Sequence, residues 1–234
     1  MRLQRPNERP SGWQNWRDLL FVHWRVPVDA LRALVPPELE LDLWNGEALV
    51  GVVPFVMKGV RPAWLPELLA LDFLETNTRT YVRYRGRPGV YFFSLEASSL
   101  VAVKAALWGW GLPYFHAAMR IDRDGEWIEY ESRRRDGTTA PTHQVRYKPG
   151  RMLGASVEGT YEHFLLERYL LYSIRNGVVY EGQVHHEPYP AQEVELAQLD
   201  DELVAATGLV PESKPCAVHY AAGVDVEVFG PWVV

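Results

Sequence analysis

The stretch LELDLW (39–44), Asn45-Gly46, EALVGVVPF (47–55) decides the fold class. Asn-Gly is the pair best suited to the two positive-φ positions of a tight type I′ turn, and here it separates two segments of strand character. Leu39, Leu41 and Leu43 alternate with Glu40 and Asp42, so the first arm of the expected hairpin should bury one face and wet the other.

The same grammar extends in both directions. Upstream, LLFVHW (19–24) reads as a short buried strand. VPVDALRALVPP (26–37) reads as a short helix, with Pro27 tolerated in the first turn and Pro36-Pro37 as a stop. Residues 1–18 are polar and carry Pro6 and Pro10. We read them as an N-terminal arm, ordered where Trp13 and Trp16 pack down, which leaves 19–234 as a single domain. Downstream, MKGVRPAWLPELLALDF (57–73) has no clean period and reads as a long loop of the kind that lines sites.

TNTRTYVRY (76–84) returns to alternation, with Thr76, Thr78, Thr80 and Val82 on one face and Asn77, Arg79, Tyr81 and Arg83 on the other. RGRPG (85–89) then turns into the strand VYFFSLEA (90–97). A helix is predicted over 98–110, capped by Ser98 or Ser99, with a stripe of Leu100, Val103 and Leu107. Residues 111–149 predict a three-strand meander. A second long helix is predicted over 160–177, capped by Thr160, and a third over 194–209, with strands at 178–190 and 216–229. No βαβ repeat occurs. The expected fold is α+β: a mostly antiparallel sheet, curved or closed in barrel fashion, with a few packed helices.

Composition narrows the function classes. The 234 residues carry 24 basic and 30 acidic side chains, a net charge of −6, which disfavours a generic basic nucleic-acid binder. A single cysteine, Cys216, excludes an internal disulfide and multi-cysteine metal sites. The charged start lacks the apolar core of a secretory signal, and no apolar run is long enough to span a membrane. A cytoplasmic protein is expected, with neither a nucleic-acid nor a membrane partner. Aromatic residues beside proline-rich loops lead us to expect a homodimer.

Short motifs are missing: there is no phosphate loop, no dinucleotide fingerprint, no HExxH and no GxSxG elbow, so no cofactor is expected. The tightest histidine group is His185-His186-Glu187, but strand neighbours point to opposite faces, and no metal site is expected there. Lys104 lies beside the apolar stripe of its helix, where a lysine stem usually snorkels to water. Glu162, His163, Glu167 and Arg168 read as well as a helix-docking salt network as they do as a site.

Arg79 and Asn77 form the preferred polar pair, about 6.6 Å apart on one strand face, with Glu75 on the same face. A guanidinium fork suits a carboxylate, and an amide can orient a second oxygen. The alternative is the outward polar edge of a sheet.

LLFVHWRVP (19–27), NGEALVGVVPF (45–55), ETNTRTYV (75–82), GVYFFSLEA (89–97), GLPYF (111–115), EHFLLERYLLY (162–172) and HYAAGVDVEVF (219–229) occur in this order. Together they resemble the YqjF-like family of bacterial proteins, which is similar in fold to acetoacetate decarboxylase. That enzyme works through a Schiff-base lysine after a glycine–any–proline turn. The matching turn here is Gly111-Leu112-Pro113, followed by Tyr114, and a phenol forms no imine. Lys104 lies about three helical turns upstream.

The resemblance therefore implies the fold and a pocket, and argues against the decarboxylase reaction. It places Glu75 and Arg79 on the strand that bears the enzyme's pocket glutamate. The expectation is a small carboxylate or enolic ligand held by Arg79, Asn77, Glu75 and Tyr114. Two alternatives stand beside it: a structural or protein-interaction domain whose ancestral pocket is filled by aromatic side chains, and an enzyme using acid–base chemistry without an imine.

Overall fold

Asn45 and Gly46 adopt φ of 50° and 85°, as a type I′ turn demands. Across the turn, the Trp44 and Glu47 N–H groups donate to each other's carbonyls at 3.0 and 2.9 Å. The computed structural model describes residues 4–234, with residues 105–109 described by their backbone only. Leu107 of the expected helical stripe thus lies outside the described side chains.

In chain order the elements are β1 (Gly12–Val26), α1 (Val28–Leu34), β2 (Glu40–Leu41), β3 (Ala48–Pro62), a 3-10 turn at Glu67–Leu69, β4 (Leu71–Tyr84), β5 (Arg87–Ala97) and α2 (Leu100–Trp110). There follow β6 (Tyr114–Asp124), β7 (Trp127–Arg134), β8 (Thr142–Gly154), α3 (Tyr161–Leu166), β9 (Leu170–Arg175), β10 (Val178–His185), β11 (Ala191–Asp201), α4 (Leu203–Ala206) and β12 (Ala217–Val233). All strands belong to one sheet. Its pairings are antiparallel except for β5 with β6 and β5 with β9. The fold is α+β, with a large, mostly antiparallel sheet and few helices.

Seven strands pair in a closed circuit: β1 with β3, β3 with β4, β4 with β5, β5 with β9, β9 with β10, β10 with β12 and β12 with β1. The predicted meander is β6, β7 and β8, which leaves β5 and returns through β11 to β12. One apolar cluster, including Leu19, Phe21, Phe55 and Phe73, lies on the inner side of the circuit. A second, including Leu20, Val22, Val52 and Tyr130, lies on the other side. Strands β1, β3 and β4 are therefore buried on both faces, which is why 19–24 is apolar without alternation.

Helix α2 follows the sequence pattern at its two ends, but of the expected stripe Val103 is buried while Leu100 is exposed. Ser99 Oγ accepts from the Ala102 N–H at 3.3 Å, and Gly111 ends the helix with φ of 60°.

Other expectations are corrected. The incoming arm of the Asn-Gly hairpin touches β3 only at the turn; β2 instead pairs with β4, Glu40 to Arg83 and Leu41 to Val82. Asp42, expected in water, is 5% exposed and ion-paired to Arg83 at 2.8 Å and Arg168 at 2.6 Å. Residues 12–18, read as part of an arm, are already in β1, with Trp13 opposite Glu227. The stretch read as a long loop is mostly strand, because β3 runs to Pro62 and β4 starts at Leu71.

The helix predicted over 160–177 stops at Leu166, and Leu170–Arg175 is β9. The helix predicted over 194–209 is largely β11, with only Leu203–Ala206 helical. Register shifts in β11, one between Leu196 and Gln198, bring Val194, Leu196 and Leu199 into a spacing of two and then three. That mimics a helical stripe.

Candidate functional site

Strand β4 carries the site because its pleat sends Leu71, Phe73, Glu75, Asn77 and Arg79 to one wall of an internal cavity of about 570 Å³. Each strand of the closed circuit contributes to that wall, for example Phe21 from β1, Phe55 from β3, Phe92 from β5, Leu171 from β9, Val184 from β10 and Val228 from β12. Tyr114, at the start of β6, reaches the same space. All four residues singled out in the sequence thus meet in one cavity, and the outward polar edge is ruled out for Arg79, which is 8% exposed. Among the described residues, aromatic side chains line the cavity without filling it.

The back of β4 is pinned. Tyr130 Oη donates to the Glu75 carbonyl at 2.8 Å, and Thr80 Oγ1 donates to the Leu49 carbonyl at 2.7 Å. A register shift on β5 sets Thr78 opposite Ser94 and Arg79 opposite Phe92.

The polar groups differ in how well they are satisfied. The Tyr114 hydroxyl donates to Glu75 Oε2 at 2.8 Å. Burial raises the Glu75 carboxyl from 4.5 to about 8, against the lowering effect of the Tyr114 hydrogen bond and with help from the Glu96 charge. Glu96 is also raised by burial, but Arg134 is ion-paired to it and offsets the rise. Burial and the Glu75 charge push the Tyr114 phenol well above its usual value, so it stays protonated.

Arg79 is different. Its Nη2 makes one long bond to the Leu165 carbonyl at 3.4 Å, its Nε has no partner, and its guanidinium lies 5.5 Å over the Phe21 ring. Among the described residues no carboxylate forms an ion pair with Arg79. Asn77 Oδ1, also buried, has no partner either. A buried cation and a buried amide oxygen left unsatisfied are costly, and such costs concentrate where a ligand completes the set.

Sequence reasoning missed part of the surroundings. Arg168 lines the cavity, but Asp42 neutralises it at 2.6 Å and its Nε donates to the Phe164 carbonyl at 2.8 Å. Tyr81 joins His23 Nε2 at 2.7 Å and donates to the Leu165 carbonyl at 2.8 Å. Burial, then the nearby Arg79 and His219 charges, push His23 well below the ordinary imidazole value, so it is neutral. Alternation placed Tyr81 on the face of Arg79, and Arg168 was read as part of a helix-docking network with Glu162, His163 and Glu167; nothing local foretold that its partner is Asp42.

None of the four lysines lines the cavity: Lys58, Lys104 and Lys214 are exposed, and Lys148 pairs with Glu195 at 2.9 Å. Among the described residues no group of three His, Cys, Asp or Glu side chains is placed to hold a metal ion, and no helix is long and apolar enough to cross a membrane.

Residues 13–225 match the DUF2071 family, described as an uncharacterized conserved protein (COG2071). The chain belongs to this family. It is 40% identical over 215 residues to the uncharacterized protein YqjF of Bacillus subtilis (strain 168), covering 91% of this chain and 88% of that protein. The DUF2071 domain seen here has the acetoacetate-decarboxylase-like fold. Acetoacetate decarboxylase from Legionella pneumophila superposes with a TM-score of 0.66 at 16% identity, covering 100% of this chain and 92% of that one. The enduracididine biosynthesis enzyme MppR complexed with pyruvate superposes with a TM-score of 0.64 at 14% identity, covering 98% and 93%.

Proposed function

We propose that this DUF2071 domain binds a small organic acid in its central cavity without forming an imine. The observation that carries the reading is Arg79: a buried guanidinium facing a cavity of about 570 Å³, with an unpartnered Nε and, among the described residues, no carboxylate paired to it. A ligand carboxylate supplies the missing counter-charge and takes the fork in a bidentate grip. Asn77 and Tyr114 hydrogen-bond further oxygens. Glu75, held protonated by burial, has an O–H to give to a carbonyl or enol oxygen. The MppR structure with pyruvate supports the reading by analogy of fold.

The test is a thermal-shift screen of keto and hydroxy acids. Protection by at least one acid, lost in Arg79→Ala with the circular dichroism spectrum unchanged, is the expected result. No protection by any carboxylate overturns the reading.

A second reading adds chemistry at the same place. A carboxyl pushed up to about 8 exchanges a proton near neutral pH, so Glu75 suits enolisation of a bound keto acid. Loss of the α-proton signal of a bound keto acid in D2O, abolished by Glu75→Gln, is expected; exchange at the buffer rate refutes it.

A further inference from the structure

The cavity is far larger than its polar head needs, and polar and apolar residues are sorted along β4. From the start of the strand, the cavity-facing residues are Leu71 and Phe73, then Glu75, Asn77 and Arg79. The span from Leu71 to Arg79 is about 26 Å at the rise of an extended strand. Strand β3 repeats the apolar half: Val60 pairs with Leu71 and Met57 with Phe73, and both line the cavity. At the Leu71 end, Trp64 and Val101 line the cavity while being 80% and 65% exposed, so they mark its mouth. An apolar wall thus runs from a solvent-exposed apolar rim to a buried head group.

A three- or four-carbon acid gripped by Arg79 leaves that wall uncovered. Its volume falls within the range of about 300–1,000 Å³ in which much larger ligands are commonly enclosed. Resting on the acid-binding reading above, we propose that the ligand is an amphipathic acid: a carboxylate or enolic head at Arg79 and Asn77, and an aliphatic or aryl tail that lies along Phe73, Met57 and Leu71 and ends at Trp64. The tail is held by removal of apolar surface from water, so affinity must grow with its length until the tail reaches the mouth.

The experiment is calorimetric titration of the full chain with straight-chain 2-oxo acids from pyruvate to 2-oxohexadecanoate, each kept below its micelle-forming concentration, and with the matching alcohols. The expected result is binding that tightens about fourfold per added methylene, the factor for burying one such group, through the middle of the series. Leu71→Glu, at a half-buried position, is expected to flatten that slope, and Arg79→Ala to weaken every acid.

If pyruvate binds and depends on Arg79 but longer acids bind no better, the tail is refuted and the acid reading stands. If alcohols bind as well as acids and Arg79→Ala changes nothing, the head is refuted and the proposal falls with it. If no acid binds, both are refuted.

Discussion

The Tyr114 hydroxyl meets Glu75 Oε2 at 2.8 Å, diagonally across β5, where Leu95 pairs with both Tyr114 and Asn77. The phenol follows the Gly111-Leu112-Pro113 turn. It brings a neutral donor, and burial keeps its partner neutral too, so among the described residues Arg79 is the charge at this head of the cavity that no ion pair offsets.

Glu75 makes stability depend on pH. Its folded value of about 8 lies above the unfolded 4.5, so between these limits the folded state holds a proton that the unfolded state has released, and stability falls as pH rises. Below 4.5 both states are protonated and the effect vanishes. Glu75→Gln keeps an acceptor for Tyr114 and removes the titration. We expect the variant to gain on the wild type progressively from pH 4.5 to pH 8, by a few kcal/mol at most, in urea unfolding of the ligand-free protein.

Arg79→Met should stabilise the ligand-free protein. The guanidinium is buried with no carboxylate paired to it among the described residues, and methionine keeps much of its packing over Phe21 while removing the charge. A gain of about 1–3 kcal/mol by chemical denaturation, together with loss of acid binding, is expected.

Asp42→Ala should do the opposite. Its carboxylate serves both Arg168 at 2.6 Å and Arg83 at 2.8 Å, and removing it strands a buried Arg168. We expect a loss of about 3–5 kcal/mol, measured the same way, and much less for Arg83→Ala, whose side chain is partly in water.

Borohydride treatment with acetoacetate should leave the intact mass unchanged. Three lysines are exposed, the fourth is ion-paired to Glu195, and none is desolvated within the cavity, so none is activated as an amine nucleophile there. An adduct mapping to Lys104 would restore a lysine-dependent mechanism.

Local sequence was sufficient where a residue's own backbone or pleat decides the outcome. Asn45-Gly46 fixes its turn through positive φ, Ser99 and Gly111 bound α2, and strict alternation puts Glu75, Asn77 and Arg79 on one face. It misled where burial on both faces or a bulge altered the period. Tyr169 and Tyr172 continue the stripe of α3 on a helical projection, yet the chain leaves the helix after Leu166 because Leu170–Arg175 is needed to pair with both β5 and β10.

Only the tertiary structure decided that the polar face of β4 looks inward. Alternation says which side chains share a face and not what that face meets. The strand circuit, closed by pairings far apart in sequence, turned a possible surface edge into the wall of a cavity. The same closure buried Asp42 against Arg168 and left the Arg79 Nε facing the cavity without a partner among the described residues.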